Sequence, residues 1–167
     1  MGDGFVVLQR GEGEPQSIGQ MTQLMGRGEW TAGAYCIHDQ IMAGRLMSAV
    51  HVHARDDQVA WVLEGTLVCW VDGEEREVRA GGYALRRAGL AHAMWNATDT
   101  PARFLEITSP GERHQQYMTR LSGLIDSGDA KAETVGALAK EFGITFYPHE
   151  TEQLHERLGL PVGGFWK

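Results

Sequence analysis

Between Trp30 and Ile107 the chain is a succession of short apolar or alternating runs, at residues 34–38, 45–53, 58–63, 66–71, 74–79, 83–86, 92–96 and 102–107. Several are bounded by glycine, at Gly44, Gly65, Gly73 and Gly89. Runs of this length, closed by turn residues, read as strands. Asp72-Gly73 falls between two of them and supplies the positive backbone angles that a two-residue hairpin needs. Many short strands joined by tight turns predict an all-β sandwich or barrel.

The flanks read differently. Phe5-Val6-Val7-Leu8 is a candidate short strand, and residues 10–29, polar and Gly-rich with Pro15, are a loop with one helical turn. After Ser109-Pro110-Gly111 the period changes, and Tyr117, Met118, Leu121, Leu124 and Ile125 fall on one helical face. Val135, Leu138, Ala139 and Phe142 repeat that pattern, with Gly143 placed to end the helix. A last short helix over 151–158 turns Leu154 and Leu158 inward. The chain therefore divides into an N-terminal strand and loop extension (1–29), a β core (30–110) and a helical appendage (111–167) that packs on the core or on a second subunit. The sequence contains neither an internal repeat nor a low-complexity segment.

Composition sets the outer limits. A chain of 167 residues with 43% hydrophobic and 22% charged residues can bury a real core. The net charge of -7 and the lack of a basic run argue against nucleic acid and anionic membranes as partners. Cys36 and Cys69 each lie in an apolar, strand-like run, so two buried free thiols in a reducing compartment are expected. Met1-Gly2-Asp3-Gly4-Phe5 has no basic leader, and no run approaches the ~20 apolar residues of a membrane span. A cytoplasmic location is the resulting expectation.

The chemistry is concentrated in two segments. In the first, His51-Val52-His53, the two histidines share one face of a strand, because side chains two apart point the same way. In the second, His92 follows the turn at Gly89 and opens an apolar strand. Three imidazoles on neighbouring strands form a facial set with open positions for water or substrate.

These segments resemble the paired motifs of the cupin family. The first motif, His-x-His, four residues, Glu, six residues, Gly, is matched by His51, His53, Gln58 and Gly65, with Gln in place of Glu. The second, Gly, five residues, Pro-x-Gly, two residues, His, three residues, Asn, is matched by Gly81, Arg87, Gly89, His92 and Asn96, with Arg in place of Pro. The stretch from about 30 to 120 is similar to the single-domain, quercetin 2,3-dioxygenase-like branch, through Trp61-Val62-Leu63-Glu64-Gly65 and Pro101-Ala102-Arg103-Phe104-Leu105-Glu106-Ile107-Thr108. The resemblance implies a jelly-roll β-barrel holding one divalent metal ion per chain: iron, nickel, zinc, cobalt, manganese or copper. It makes His51, His53 and His92 ligands, with Gln58 at the position of a fourth.

Gln58 is also the candidate catalytic residue. Its amide is neutral and cannot act as a general base. It is read as a ligand, as a donor to metal-bound water, or as polar lining. Alternation turns Asp57 away from the cavity, while Asp56 points inward only if the strand starts after it. Met47, Met94 and His38 are the candidate substrate-binding residues: Met47 if it shares phase with His51 and His53, Met94 in phase with His92, and His38 from an earlier strand. Trp61 and Trp70 suit the core or a subunit interface better than substrate stacking. Of Arg86 and Arg87 only one can face inward, where it would anchor a carboxylate; the surface is the favoured place for both. His114, His149 and His155 are assigned to the surface of the tail. Glu74, Glu75, Arg76 and Glu77 form a solvated edge.

The functional expectation is a metal-dependent enzyme acting on a small phenolic, enolic or polyketide-like molecule, with an oxidoreductase of the dioxygenase kind first. A non-redox metal-dependent cyclase or isomerase, and a ligand-binding cupin without turnover, are the competing readings. A homodimer is also expected, because Val59, Trp61 and Leu63 form an apolar row on the strand face opposite Gln58 and need a cover.

Overall fold

The computed structural model describes residues 4–163. The expected succession of strands is present: β1 (Glu14–Gln16), β2 (Met21–Gly26), β3 (Cys36–Met42), β4 (Leu46–Met47), β5 (His51–His53), β6 (Asp57–Glu64), β7 (Thr66–Val71), β8 (Glu74–Arg79), β9 (Tyr83–Arg86), β10 (His92–Asn96) and β11 (Ala102–Ser109). There follow α1 (Gly111–Asp126), α2 (Ala132–Glu141), β12 (Ile144–Phe146) and α3 (Pro148–Leu158). Asp72 and Gly73 carry φ of 45° and 92°, as the hairpin turn between β7 and β8 requires.

The strands form two sheets, ordered β1-β2-β3-β11-β6-β9 and β12-β5-β10-β7-β8, with β4 paired to β10. They lie face to face as a jelly-roll sandwich and do not close into the continuous barrel that was expected. The first sheet ends at β9 and the second at β8, and that side stays open. The inward residues Ala60, Val62, Leu67, Cys69, Met94 and Phe104 make the inter-sheet core. Both cysteines are buried free thiols.

The tail is helical as predicted, and its two predicted faces are its core: Tyr117, Met118 and Leu121 meet Val135, Leu138, Ala139 and Phe142. α3 covers the outer face of the second sheet through Leu154, with Leu160 beyond it. α1 is seated against the start of β3 so closely that a Cβ on Gly111 would lie 2.1 Å from the Cys36 nitrogen. Only glycine permits that approach, and it fixes where the helix side chains enter the sandwich.

Three local expectations are corrected. Residues 5–8 form no strand; Phe5 is 82% exposed and has no sheet to join. The loop assigned to 10–29 contains the β1–β2 hairpin before a 3-10 turn at Gly28–Thr31, and Pro15 is tolerated because β1 is an edge strand. The short β12 was not foreseen, yet it pairs residue for residue with the histidine strand β5. Among the described residues no helix is long and apolar enough to cross a membrane.

Candidate metal centre

β5 presents His51 and His53 on one face, and cross-strand pairing sets His92 of β10 directly beside His51. The ring centroids of His51 and His92 are 4.4 Å apart, those of His51 and His53 5.1 Å, and those of His53 and His92 5.7 Å. One ring nitrogen from each lies within 4.8 Å of the others.

What the other nitrogens do decides which face the group offers. His51 Nδ1 donates to the Ala49 carbonyl (2.9 Å), His92 Nδ1 to the Leu90 carbonyl (3.0 Å) and His53 Nδ1 to the Asp56 carboxylate (3.1 Å). A proton held on each Nδ1 leaves each Nε2 as a lone pair, the arrangement in which histidine ligates metal. Burial pushes the His51 imidazole down to about 4, and burial, then neighbouring His51 and Arg86, push His53 and His92 well below the usual histidine range. All three are therefore uncharged at neutral pH.

Gln58 enters from β6 on the opposite sheet, and its Oε1 lies 3.0 Å from His92 Nε2. Since His92 donates through Nδ1, this contact sets two lone pairs against each other. Two neutral lone pairs at that spacing would both be available to one cation. The donor set of this chain thus fits a divalent ion held by His51, His53 and His92, with Gln58 beside them.

The remaining candidates separate. Met94 faces inward, two residues along β10 from His92, and packs in the inter-sheet core. His38 is fully buried on the inner face of β3, outside the three-histidine group, and its Nε2 has no partner among the described residues. Met47 does not line the cavity. It pairs with outward-facing Trp95 and is packed with Leu154 and Leu160 under α3, because residues 48–50 between β4 and β5 are not in strand and break the alternation. Asp57 is turned out, where it accepts the Ala88 amide, and Asp56, just before β6, is buried against His53. Trp61 is exposed, Trp70 packs on the outer face of the second sheet, and His149 and His155 are exposed.

Two residues assigned to the surface lie inside. His114 is 4% exposed, with its ring 5.4 Å from His53 and 5.7 Å from His38. It continues the α1 face of Tyr117, Met118 and Leu121 at helical spacing, and that spacing was the signal for it. His53, Asp56 and His114 form a second group whose ligand atoms lie within 4.8 Å of one another. Arg86 is 3% exposed and donates through Nη2 to Glu106, itself 4% exposed. Burial raises the Glu106 carboxyl against the opposing pull of Arg86.

The open side of the sandwich is a cleft of about 980 Å³. Its wall includes Val71 and Cys69, the cross-strand partners of His92 and Met94.

Burial makes acid costly. The His38 imidazole is pushed down to about 4, against about 6.5 in an unfolded chain. The unfolded chain takes up the proton first as pH falls, so this contribution is complete above about 6.5 and is lost on the way down to about 4, worth about 3 kcal/mol in all. In urea titrations of metal-free protein at pH 7.5 and 4.5, His38→Gln is expected to flatten the loss of stability on acidification. An unchanged slope would rule out the assignment.

Residues 38–108 match the cupin domain family. Among solved structures, the chain is similar to a predicted oxalate decarboxylase from Thermotoga maritima, at 17% identity over 62% of this chain and 98% of that one, with a TM-score of 0.58. It is also similar to KdgF from Halomonas sp., at 15% identity over 64% of this chain and 94% of that one, with a TM-score of 0.56. No curated protein matches the sequence. The two half-motifs, the two-sheet jelly roll and the family match agree that residues 38–108 form a cupin domain.

Proposed function

We propose that this protein is a metal-dependent enzyme acting on a small phenolic, enolic or polyketide-like molecule, with oxygen-activating, dioxygenase-type chemistry at His51, His53 and His92. The observation that carries the reading is the convergence of three uncharged imidazoles whose Nδ1 atoms are all engaged elsewhere. His51, His53 and His92 would hold a divalent ion, which when bound would supply Lewis-acid polarisation of a substrate or oxygen donor.

The chain's own groups restrict the proton chemistry. Gln58 is not a base, Asp56 is engaged with His53, and Glu106 is paired with Arg86. The substrate therefore arrives ionised or loses its proton on binding. This same observation favours a second reading, a cyclisation or isomerisation without redox change. Metal analysis of protein purified without chelator, combined with oxygen-uptake measurements, separates the two. Iron with oxygen consumption supports the first, zinc with conversion and no oxygen consumption the second, and protein without stoichiometric metal overturns both.

Gln58 gives a finer test. Gln58→Ala is expected to weaken metal binding by about 10- to 100-fold, the effect typical of a supporting partner. Gln58→Glu should tighten binding, by adding a negative charge beside the three imidazoles, with little gain in turnover. A large gain in rate would mean that the site is built around a carboxylate base it has lost.

We further propose that a second copy of the chain covers the outer face of β6 and β9. Trp61 and Tyr83 are cross-strand partners, 47% and 67% exposed, with Leu63 and Leu85 beside them. α3 covers the outer face of the other sheet, and among the described residues β9 is a free edge, which is a template for pairing. Arg10 bonds to Glu64 at the end of β6, and Phe5, Val6 and Val7, shortly before it in the chain, are exposed. Light scattering at micromolar concentration should give twice the 18.4 kDa chain mass. Tyr83→Lys with Leu85→Lys should give the single-chain mass, and a wild-type monomer would refute the proposal.

A further inference from the structure

We infer that the interior beside the histidines is a receptor for a small organic carboxylate, held by Arg86 Nε and the Thr108 hydroxyl; the inference rests on the metal-centred reading of the site.

The inner face of the first sheet is polar where it looks toward the three imidazoles. Cross-strand pairing lines up Cys36, Thr108, Gln58 and Arg86 as one rung, from β3 across β11 and β6 to β9. The next rung is His38, Glu106, Ala60 and Ala84. Buried polar atoms in a folded protein almost always find partners. Here Arg86 Nε, Thr108 Oγ1 and His38 Nε2 find none among the described residues, although all three residues are at least nine-tenths buried. They are gathered on adjacent rungs of one face, which marks the place of a polar guest.

The chemistry of these atoms selects the guest. Arg86 Nε–H can only donate, and a threonine hydroxyl can donate, so together they suit an acceptor with two oxygens. The Arg86–Glu106 pair is neutral overall, and the ligands around His92 are neutral as well. With the Asp56 carboxylate beside His53 counted, a divalent ion would leave the interior with one uncompensated positive charge, which a monoanionic carboxylate offsets. Glu106, one rung away, disfavours a guest with concentrated negative charge such as phosphate. Ala60 and Ala84, on the rung below, put only small side chains beside Arg86, and Ala84 also lines the open cleft.

The test is calorimetric titration of zinc-loaded protein with acetate, pyruvate and malonate, using acetamide and malonamide as neutral counterparts and inorganic phosphate as the competing anion. At least one carboxylate should bind, at least tenfold more tightly than its amide and than phosphate. Arg86→Gln with Glu106→Gln removes the charge pair without stranding either member. This variant should keep one metal per chain and lose at least tenfold in carboxylate affinity. Thr108→Val leaves the pair intact and should weaken binding by about threefold. Failure of every carboxylate to bind, equal binding of acid and amide, phosphate binding as tightly as carboxylate, or unchanged affinity in both variants would overturn the inference. If the wild type takes up no zinc, the metal-centred reading fails on its own, and the same titration of the metal-free chain still decides the carboxylate site.

Discussion

Replacing His51 and His53 together with alanine is expected to abolish stoichiometric metal binding while the two sheets remain folded. Two of three strong donors would be gone, and His92 with Gln58 cannot hold a divalent ion against water. The fold should survive because β5 is tied by its backbone to β10 and β12, bonds that do not involve the imidazoles. The inter-sheet core of Ala60, Val62, Leu67 and Phe104 is also untouched. Asp56 loses its partner in this variant. Burial already raises its carboxyl, and the loss is of the order of a single buried hydrogen bond, about 1–3 kcal/mol. Metal content by elemental analysis and folding by circular dichroism are the two readouts. Full metal retention would show that the ion sits elsewhere, for which the group of His53, Asp56 and His114 is the place to look, with His53→Ala already removing one of its members.

Replacing Arg86 alone with methionine is expected to cost about 3–5 kcal/mol of stability, the usual penalty for stranding one member of a buried ion pair. Arg86 and Glu106 are both almost without solvent contact. Removing the guanidinium leaves the carboxylate to be neutralised in an interior that already disfavours its charge. Removing both, as Arg86→Met with Glu106→Leu, should cost far less, because the desolvation of two charges is relieved together. Urea unfolding of the two single variants and the double variant closes the cycle. Single variants costing under about 1 kcal/mol each would mean that the pair is solvated in solution.

That pair also shows where reading a sequence stops. The strands were legible because their period is local: alternating runs, Asp72-Gly73 and the glycine stops need no knowledge of partners. His51, His53 and His92 were legible because their spacing is a motif. Arg86 and Glu106 are different. They lie on β9 and β11, on either side of β6, and they meet because Ala60 between them is small. Nothing within a few residues of Arg86 announces an acid on a strand two places across the sheet. Met47 was misplaced because residues 48–50 interrupt the alternation that links it to His51. β12 was missed because three residues carry too little pattern, and their partner is 91 residues away in the chain, as with Ile144 and His53. His114 alone could have been found, since its spacing from Tyr117, Met118 and Leu121 was already in view.

The acceptors that orient the three imidazoles have a further consequence. Ala49 holds His51, Leu90 holds His92 and Asp56 holds His53, so no orienting partner lies more than three residues from the ring it fixes. Two of the three are main-chain carbonyls, which any amino acid at that position supplies. Each ring therefore carries its own aiming device within a short stretch of chain, and the stretches are portable. Distant loops and the outer surface can drift through evolution, or be exchanged by an engineer, while the hydrogen bonds that aim the imidazoles stay in place. Only Asp56 is exposed to mutation in this sense, which makes His53 the ring whose aim can be altered by changing one side chain.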